Sequence, residues 1–117
     1  MAELIISERA NGDAAILDLS GDITFGKSTV TLRNAVRRLI GEDRKKIWLN
    51  LEKVVYLDSS GIGELISALT AINREENGEL RLLNPTERIQ TLFEISNLTK
   101  VFDIYRDEHN TSGFLAG

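Results

Sequence analysis

The sequence predicts one α/β domain, with a mixed four- to five-stranded β-sheet and about four α-helices packed on it. Three observations lead there. An N-terminal pair of strand-like runs is separated by a turn signal. After it, runs of strand spacing and runs of helical spacing take turns along the chain. The connections between them are short and rich in Gly, Asn and Asp. At 117 residues, 42% of them hydrophobic, the chain is long enough for one sizeable core. The expected span of that domain is the whole sequence, 1–117.

Leu4-Ile5-Ile6 is a short strand, and Ala14 to Leu19 a second. In the second, Ile16, Asp18 and Ser20 share one face, and Ala15, Leu17 and Leu19 the other. Asn11-Gly12-Asp13 between them signals a hairpin. Gly21 breaks the pattern, so Asp22-Ile23-Thr24-Phe25-Gly26 reads as a loop. A helix follows over residues 28–40, its inner side carrying Leu32, Ala35, Val36, Leu39 and Ile40 and its outer side Arg33, Arg37 and Arg38. Gly41 is its expected stop.

Residues 46–51 return to a strand, with Ile47, Leu49 and Leu51 alternating against Trp48 and Asn50. The apolar run Val54-Val55-Tyr56-Leu57 leads into a helix over 60–74, whose expected buried stripe is Ile62, Leu65, Ile66, Leu69 and Ile72. Asn77-Gly78 ends it, and Leu80-Arg81-Leu82-Leu83 is the next strand. Asn84-Pro85-Thr86-Glu87 resembles a helix start with Asn84 as cap and Pro85 in the first turn. That helix brings Ile89, Leu92 and Phe93 to the core. A last strand is expected over 101–105 and a terminal helix over 107–115.

Between Leu57 and the following helix stands Asp58-Ser59-Ser60-Gly61. An acid and two hydroxyls thus meet at a helix N-terminus, where N–H groups are unpaired and the helix dipole is positive. Such a turn can cap itself with a serine, or it can hold a phosphate. In α/β sheets functional loops gather beyond the carboxyl ends of strands, and this turn lies at one.

Several chemistries are excluded or disfavoured. Ser59 is no hydrolase nucleophile elbow, because the residue two before it is Leu57, and the sole histidine, His109, has no route to it. Gly61-Ile62-Gly63 opens a helix as a dinucleotide fingerprint would, but the third small position holds Ile66. Asp18, Asp22, Asp58 and Glu64 are scattered carboxylates without metal-ligand spacing. With no cysteine there is neither disulfide nor thiolate chemistry. The net charge of -4 argues against nucleic acid, and the basic run Arg44-Lys45-Lys46 reads as a solvated loop. No apolar run reaches the roughly 18–20 residues of a membrane span, and residues 1–6 lack the pattern of a signal peptide. A cytoplasmic location is the expectation. The triplets Asn97-Leu98-Thr99 and Asn110-Thr111-Ser112 are then accidental glycosylation matches.

Asn50-Leu51, Val55 and Leu57-Asp58-Ser59-Ser60-Gly61-Ile62-Gly63 together resemble the signature of bacterial anti-sigma factor antagonists of the STAS family. Residues 17–23, 78–82 and 101–105 are similar to that family's second strand, a later strand and its final strand, in the right order. The resemblance implies a STAS fold and a non-enzymatic binding switch. The unphosphorylated protein binds a GHKL-type serine kinase that is also an anti-sigma factor, and a sigma factor is freed. The kinase phosphorylates the first serine of the pair, and a PP2C-type phosphatase reverses this. The phosphoacceptor maps onto Ser59, the unmodified neighbour onto Ser60, the signature acid onto Asp58 and the signature glycines onto Gly61 and Gly63. Partner contacts are expected from Gly21, Asp22, Ile23 and Thr24, and from Asp58, Ser59, Ser60, Gly61, Ile62, Gly63 and Glu64. No cofactor is expected, since ATP would bind the kinase.

Two departures stand out. Where many members carry a second acid after the Gly21-Asp22 acid, this chain has Thr24. Phe25-Gly26-Lys27-Ser28 is no general family feature, and either starts the helix or tunes partner choice. The competing expectation is a STAS component of a stressosome-like scaffold or of a lipid transporter.

Overall fold

Right-handed crossovers between neighbouring parallel strands decide where the helices go: if each new strand is added on the same side, every helix falls on the same face. The computed structural model, which describes residues 2–107, has this arrangement. Its elements are β1 (Ile5–Asn11), β2 (Ala14–Ile23), α1 (Lys27–Gly41), β3 (Lys46–Leu57), α2 (Ser59–Asn73), β4 (Glu79–Leu83), α3 (Glu87–Ile95) and β5 (Asp103–Tyr105). The strands lie in chain order, β1 antiparallel to β2 and the rest parallel. This is the predicted mixed α/β sheet, with three helices among the described residues. The terminal helix expected over 107–115 falls, apart from Asp107, outside the described residues, as do His109 and residues 110–112.

One core forms between the sheet and the helices. Ala15, Leu17 and Leu19 of β2 and Ile47, Leu49 and Leu51 of β3 meet Leu32, Val36 and Leu39 of α1, Leu65, Ala68 and Ile72 of α2, and Ile89 and Phe93 of α3. The opposite sheet face holds a smaller cluster of Ala14, Ile16, Trp48 and Leu83. There the Arg81 guanidinium is stacked between Trp48 and Tyr105, 4.9 and 4.6 Å from the ring centres.

Several boundaries differ from the sequence reading, each for a local reason. β1 runs on to Asn11, because its polar residues find cross-strand and helix partners: Arg9 pairs with Asp18, and Glu8 with Arg38. Gly21 does not end β2. The strand continues to Ile23 through register shifts against β3, and Gly21 adopts φ 108 while the backbone of Ala2 and Glu3 lies over it. β3 is one strand through both apolar runs, with Glu52 and Lys53 exposed in its middle. Gly41 is still helical, and Asp43 takes the left-handed turn at φ 62. In α2, Ala68 and Glu64 are buried whereas Ile66 is exposed. α3 is capped by Thr86, whose Oγ1 accepts from the Ile89 N–H at 3.2 Å, and not by Asn84, which stands at φ 53. β5 is only three residues long. Arg44, Lys45 and Lys46 each pair with a carboxylate, Glu8, Asp43 and Asp13 respectively.

Candidate functional site

β2 and β3 are paired through Ile23 and Leu57, so the chain leaves both strands at the same end of the sheet. Two loops therefore emerge side by side: residues 24–26, leading into α1, and Asp58, leading into α2. Gly61 makes their close approach possible. A Cβ there would stand 2.1 Å from the Ile23 carbonyl oxygen and 2.6 Å from Leu57 Cδ1. The Asp58 N–H completes the junction by donating to the Ile23 carbonyl at 3.3 Å.

The turn is capped by its acid. Asp58 has extended backbone angles, φ -95 and ψ -177, and its Oδ1 accepts from the Gly61 N–H at 2.8 Å. Its Oδ2 accepts from the Phe25 N–H at 3.0 Å, so one carboxylate ties α2 to the neighbouring loop. Burial pushes the Asp58 carboxyl up. The N–H groups of Phe25, Gly61 and Ser60 aimed at it favour the charged form, and the outcome is a pKa below the ordinary aspartate value.

With the cap supplied by Asp58, neither serine is needed for it. Ser59 is the first residue of α2 and is exposed. Its hydroxyl has no hydrogen-bond partner among the described residues. Ser60 is half-buried beside it. The choice left open by the sequence, cap or acceptor, is thus resolved for the cap: it is the acid.

The other expected contact residues fall into two groups. Thr24, Asp58, Ser59, Ser60, Ile62 and Gly63 reach the surface of the turn, whereas Gly21, Asp22, Ile23, Gly61 and Glu64 are buried. Asp22 is held by the N-terminal segment, its Oδ2 accepting from the Ala2 N–H at 3.0 Å. The Glu64 carboxylate lies between the helices and pairs with Arg33 of α1 at 2.7 Å. These buried groups shape the turn from beneath. Gly63 differs from Gly61, since a Cβ there would meet nothing within 4 Å. Among the described residues no cluster of His, Cys, Asp and Glu could hold a metal ion.

Sequence reasoning missed the reach of Asp58 to Phe25 and the Arg33–Glu64 pair. Asp is as good a cap as Ser, so the first was available as a signal; the second needed the helix packing.

The sequence profile of the STAS domain matches residues 6–111. The chain belongs to the STAS domain family. An anti-sigma-B factor antagonist of Staphylococcus aureus (strain NCTC 8325 / PS 47) is 38% identical over 60 residues, which are 51% of this chain and 55% of the relative. The STAS chain thus spans about half the length of that relative. An anti-sigma F factor antagonist of Paenibacillus polymyxa is 26% identical over 95 residues, 81% of this chain and 80% of the relative. Among solved structures, the Bacillus cell-fate determinant SpoIIAA in its phosphorylated form superposes with a TM-score of 0.67 at 19% identity, covering 92% of this chain and 95% of that one. At that identity the likeness shows the shared STAS fold.

Proposed function

We propose that this STAS domain is an anti-sigma factor antagonist, a binding module switched by phosphorylation of Ser59. The observation that carries the reading is the exposed Ser59 hydroxyl, without a hydrogen-bond partner among the described residues, on a helix start already capped by Asp58. A cap serine would be occupied; this one is available to a kinase. The antagonists to which the chain is similar, and the phosphorylated form of SpoIIAA, support the same reading.

In this reading the unphosphorylated turn binds a GHKL-type serine kinase that is also an anti-sigma factor, through Ser59, Thr24 at the end of the Gly21–Thr24 segment, and the exposed side of α2. ATP belongs to the kinase, and the chain acts by binding rather than catalysis. Phosphorylation adds roughly -1.5 to -2 charges at neutral pH. Beside the Asp58 carboxylate this sets like charges together and plants a hydrated group in an interface made for a small hydroxyl. A penalty of about 3 kcal/mol lowers affinity more than a hundredfold. The helix start itself tolerates the anion, because its dipole favours negative charge. A PP2C-type phosphatase would reset the switch, and all partners would meet in the cytoplasm.

The test is mass spectrometry of the chain after incubation with ATP and each candidate kinase/anti-sigma factor of its own organism, with Ser59→Ala in parallel. One phosphate on Ser59, absent from the variant, is the expected result. No phosphate with any of them, while Ser59→Ala folds normally, would refute the switch.

A further inference from the structure

Phe25 is a large apolar side chain that the fold does not use. It is 84% exposed, the highest value among the exposed large hydrophobic residues described. Single exposed apolar residues are ordinary on protein surfaces and carry no message alone. Phe25 differs in how it is held and in what lies next to it.

Its loop is fixed on both sides. The Thr24 N–H donates to Ser28 Oγ at 2.8 Å, and the Ser28 hydroxyl donates back to the Thr24 carbonyl at 2.7 Å. Gly26 follows with φ 110 and ψ -130, a conformation that side chains rarely adopt. The Phe25 N–H is itself clamped by Asp58 Oδ2 at 3.0 Å. The ring is thus presented on a backbone that needs no further ordering, which keeps the entropic cost of engaging it low. A depression of about 330 Å³ flanks it, lined by Asp22, Thr24 and Thr31 among others, so a partner's side chain can pack beside the ring. The clamping carboxylate belongs to the residue before Ser59. A partner that covers the Ser59 turn therefore meets a neighbouring loop, the one that carries Phe25, bonded to the residue before Ser59.

We propose that Phe25 is an apolar anchor of the partner interface, filling an apolar pocket of the protein that docks on the Ser59 turn. The inference rests on the function proposed above. Buried aromatic side chains near the centre of an interface supply a disproportionate share of binding. Here the anchor and the switch share one carboxylate, Asp58, so the surface that senses the phosphate and the surface that grips the partner are positioned together.

The experiment is calorimetric titration of the kinase/anti-sigma factor that phosphorylates Ser59 with the full chain, wild type against Phe25→Ala and Phe25→Leu. Phe25→Ala is expected to weaken binding at least about tenfold, and Phe25→Leu to recover most of it. The thermal midpoint of both variants should match wild type, since the ring packs on no core residue. Equal affinity of wild type and Phe25→Ala, within about twofold, would overturn the anchor and leave the switch standing. A wild-type chain that binds no such kinase would instead overturn the proposed function, and the anchor with it.

Discussion

Two glycines two residues apart in α2 should respond to the same substitution with opposite signs. In Gly61→Ala the new Cβ would stand 2.1 Å from the backbone oxygen of Ile23. Carbon and oxygen in ordinary contact stay about 3.3 Å or more apart, so α2 or the end of β2 must move by over an ångström. Leu57 Cδ1, at 2.6 Å, can rotate away; the carbonyl cannot. Overpacking costs about 1–3 kcal/mol, occasionally more, and a clash with a fixed backbone carbonyl falls at the upper end of that range. The gain in helix propensity returns up to about 1 kcal/mol, leaving a net loss of at least about 2. In Gly63→Ala nothing lies within 4 Å of the new methyl, so only the propensity gain of about 0.5–1 kcal/mol remains. Unfolding entropy of about 2.1 cal/mol/K per residue makes each kcal/mol worth about 4 °C in a chain of 117 residues. Calorimetry or circular dichroism should find Gly61→Ala about 8 °C below wild type and Gly63→Ala about 2–4 °C above it. A Gly61→Ala midpoint within 1 °C of wild type would refute the close approach of α2 to Ile23. A fall for both variants would refute the claim that the contact, rather than the helix start, sets the difference.

Three further outcomes follow from the same geometry. Arg33→Ala should destabilise more than Glu64→Gln in urea unfolding, because the first strands a carboxylate that is 6% exposed while the second leaves a guanidinium already 41% in water. Asp58 has a lowered folded-state pKa, so its contribution is present above the unfolded value of about 3.9 and lost as pH falls through the folded one. Asp58→Asn keeps one acceptor oxygen of two, so the cap to Gly61 can survive while the Phe25 N–H is left facing an amide NH2. It should therefore give up about 1–3 kcal/mol near neutrality and show a shallower acid-side decline, read from urea midpoints at stepped pH. Phosphorylation of Ser59 should shift amide resonances only around residues 24–26 and 58–64, and broad changes across the sheet would sink the local mechanism.

Most of the architecture was legible because its signals are periodic. Alternation marked the strands, helical spacing marked α1 to α3, and the order of elements implied the crossovers. What was missed depends on contacts distant in sequence. The polar half of β1 is held by Asp18 and Arg38, which lie across a hairpin and on a helix. Ile66 fits the apolar spacing of α2 but points away from the sheet, while Glu64 is drawn inward by Arg33. At the turn, Asp, Ser and Ser compete for one capping role, and local chemistry ranks them nearly equal. The tie was broken from outside α2, by the Phe25 N–H, which only the acid can also reach.

The placement of Ser59 has a consequence for how it can be recognised. Its main chain is already committed to α2, and the residue before it is bonded to Ile23, Phe25 and Gly61. An enzyme that reads its substrates as extended strands would have to unwind the first turn and pull the neighbouring loops away from each other. A synthetic peptide spanning residues 54–66 holds the same letters and lacks the shape. Under the proposed switch, Ser59 would be addressed as a feature of a folded surface, and a chain that has not finished pairing β2 with β3 would offer a kinase nothing to modify.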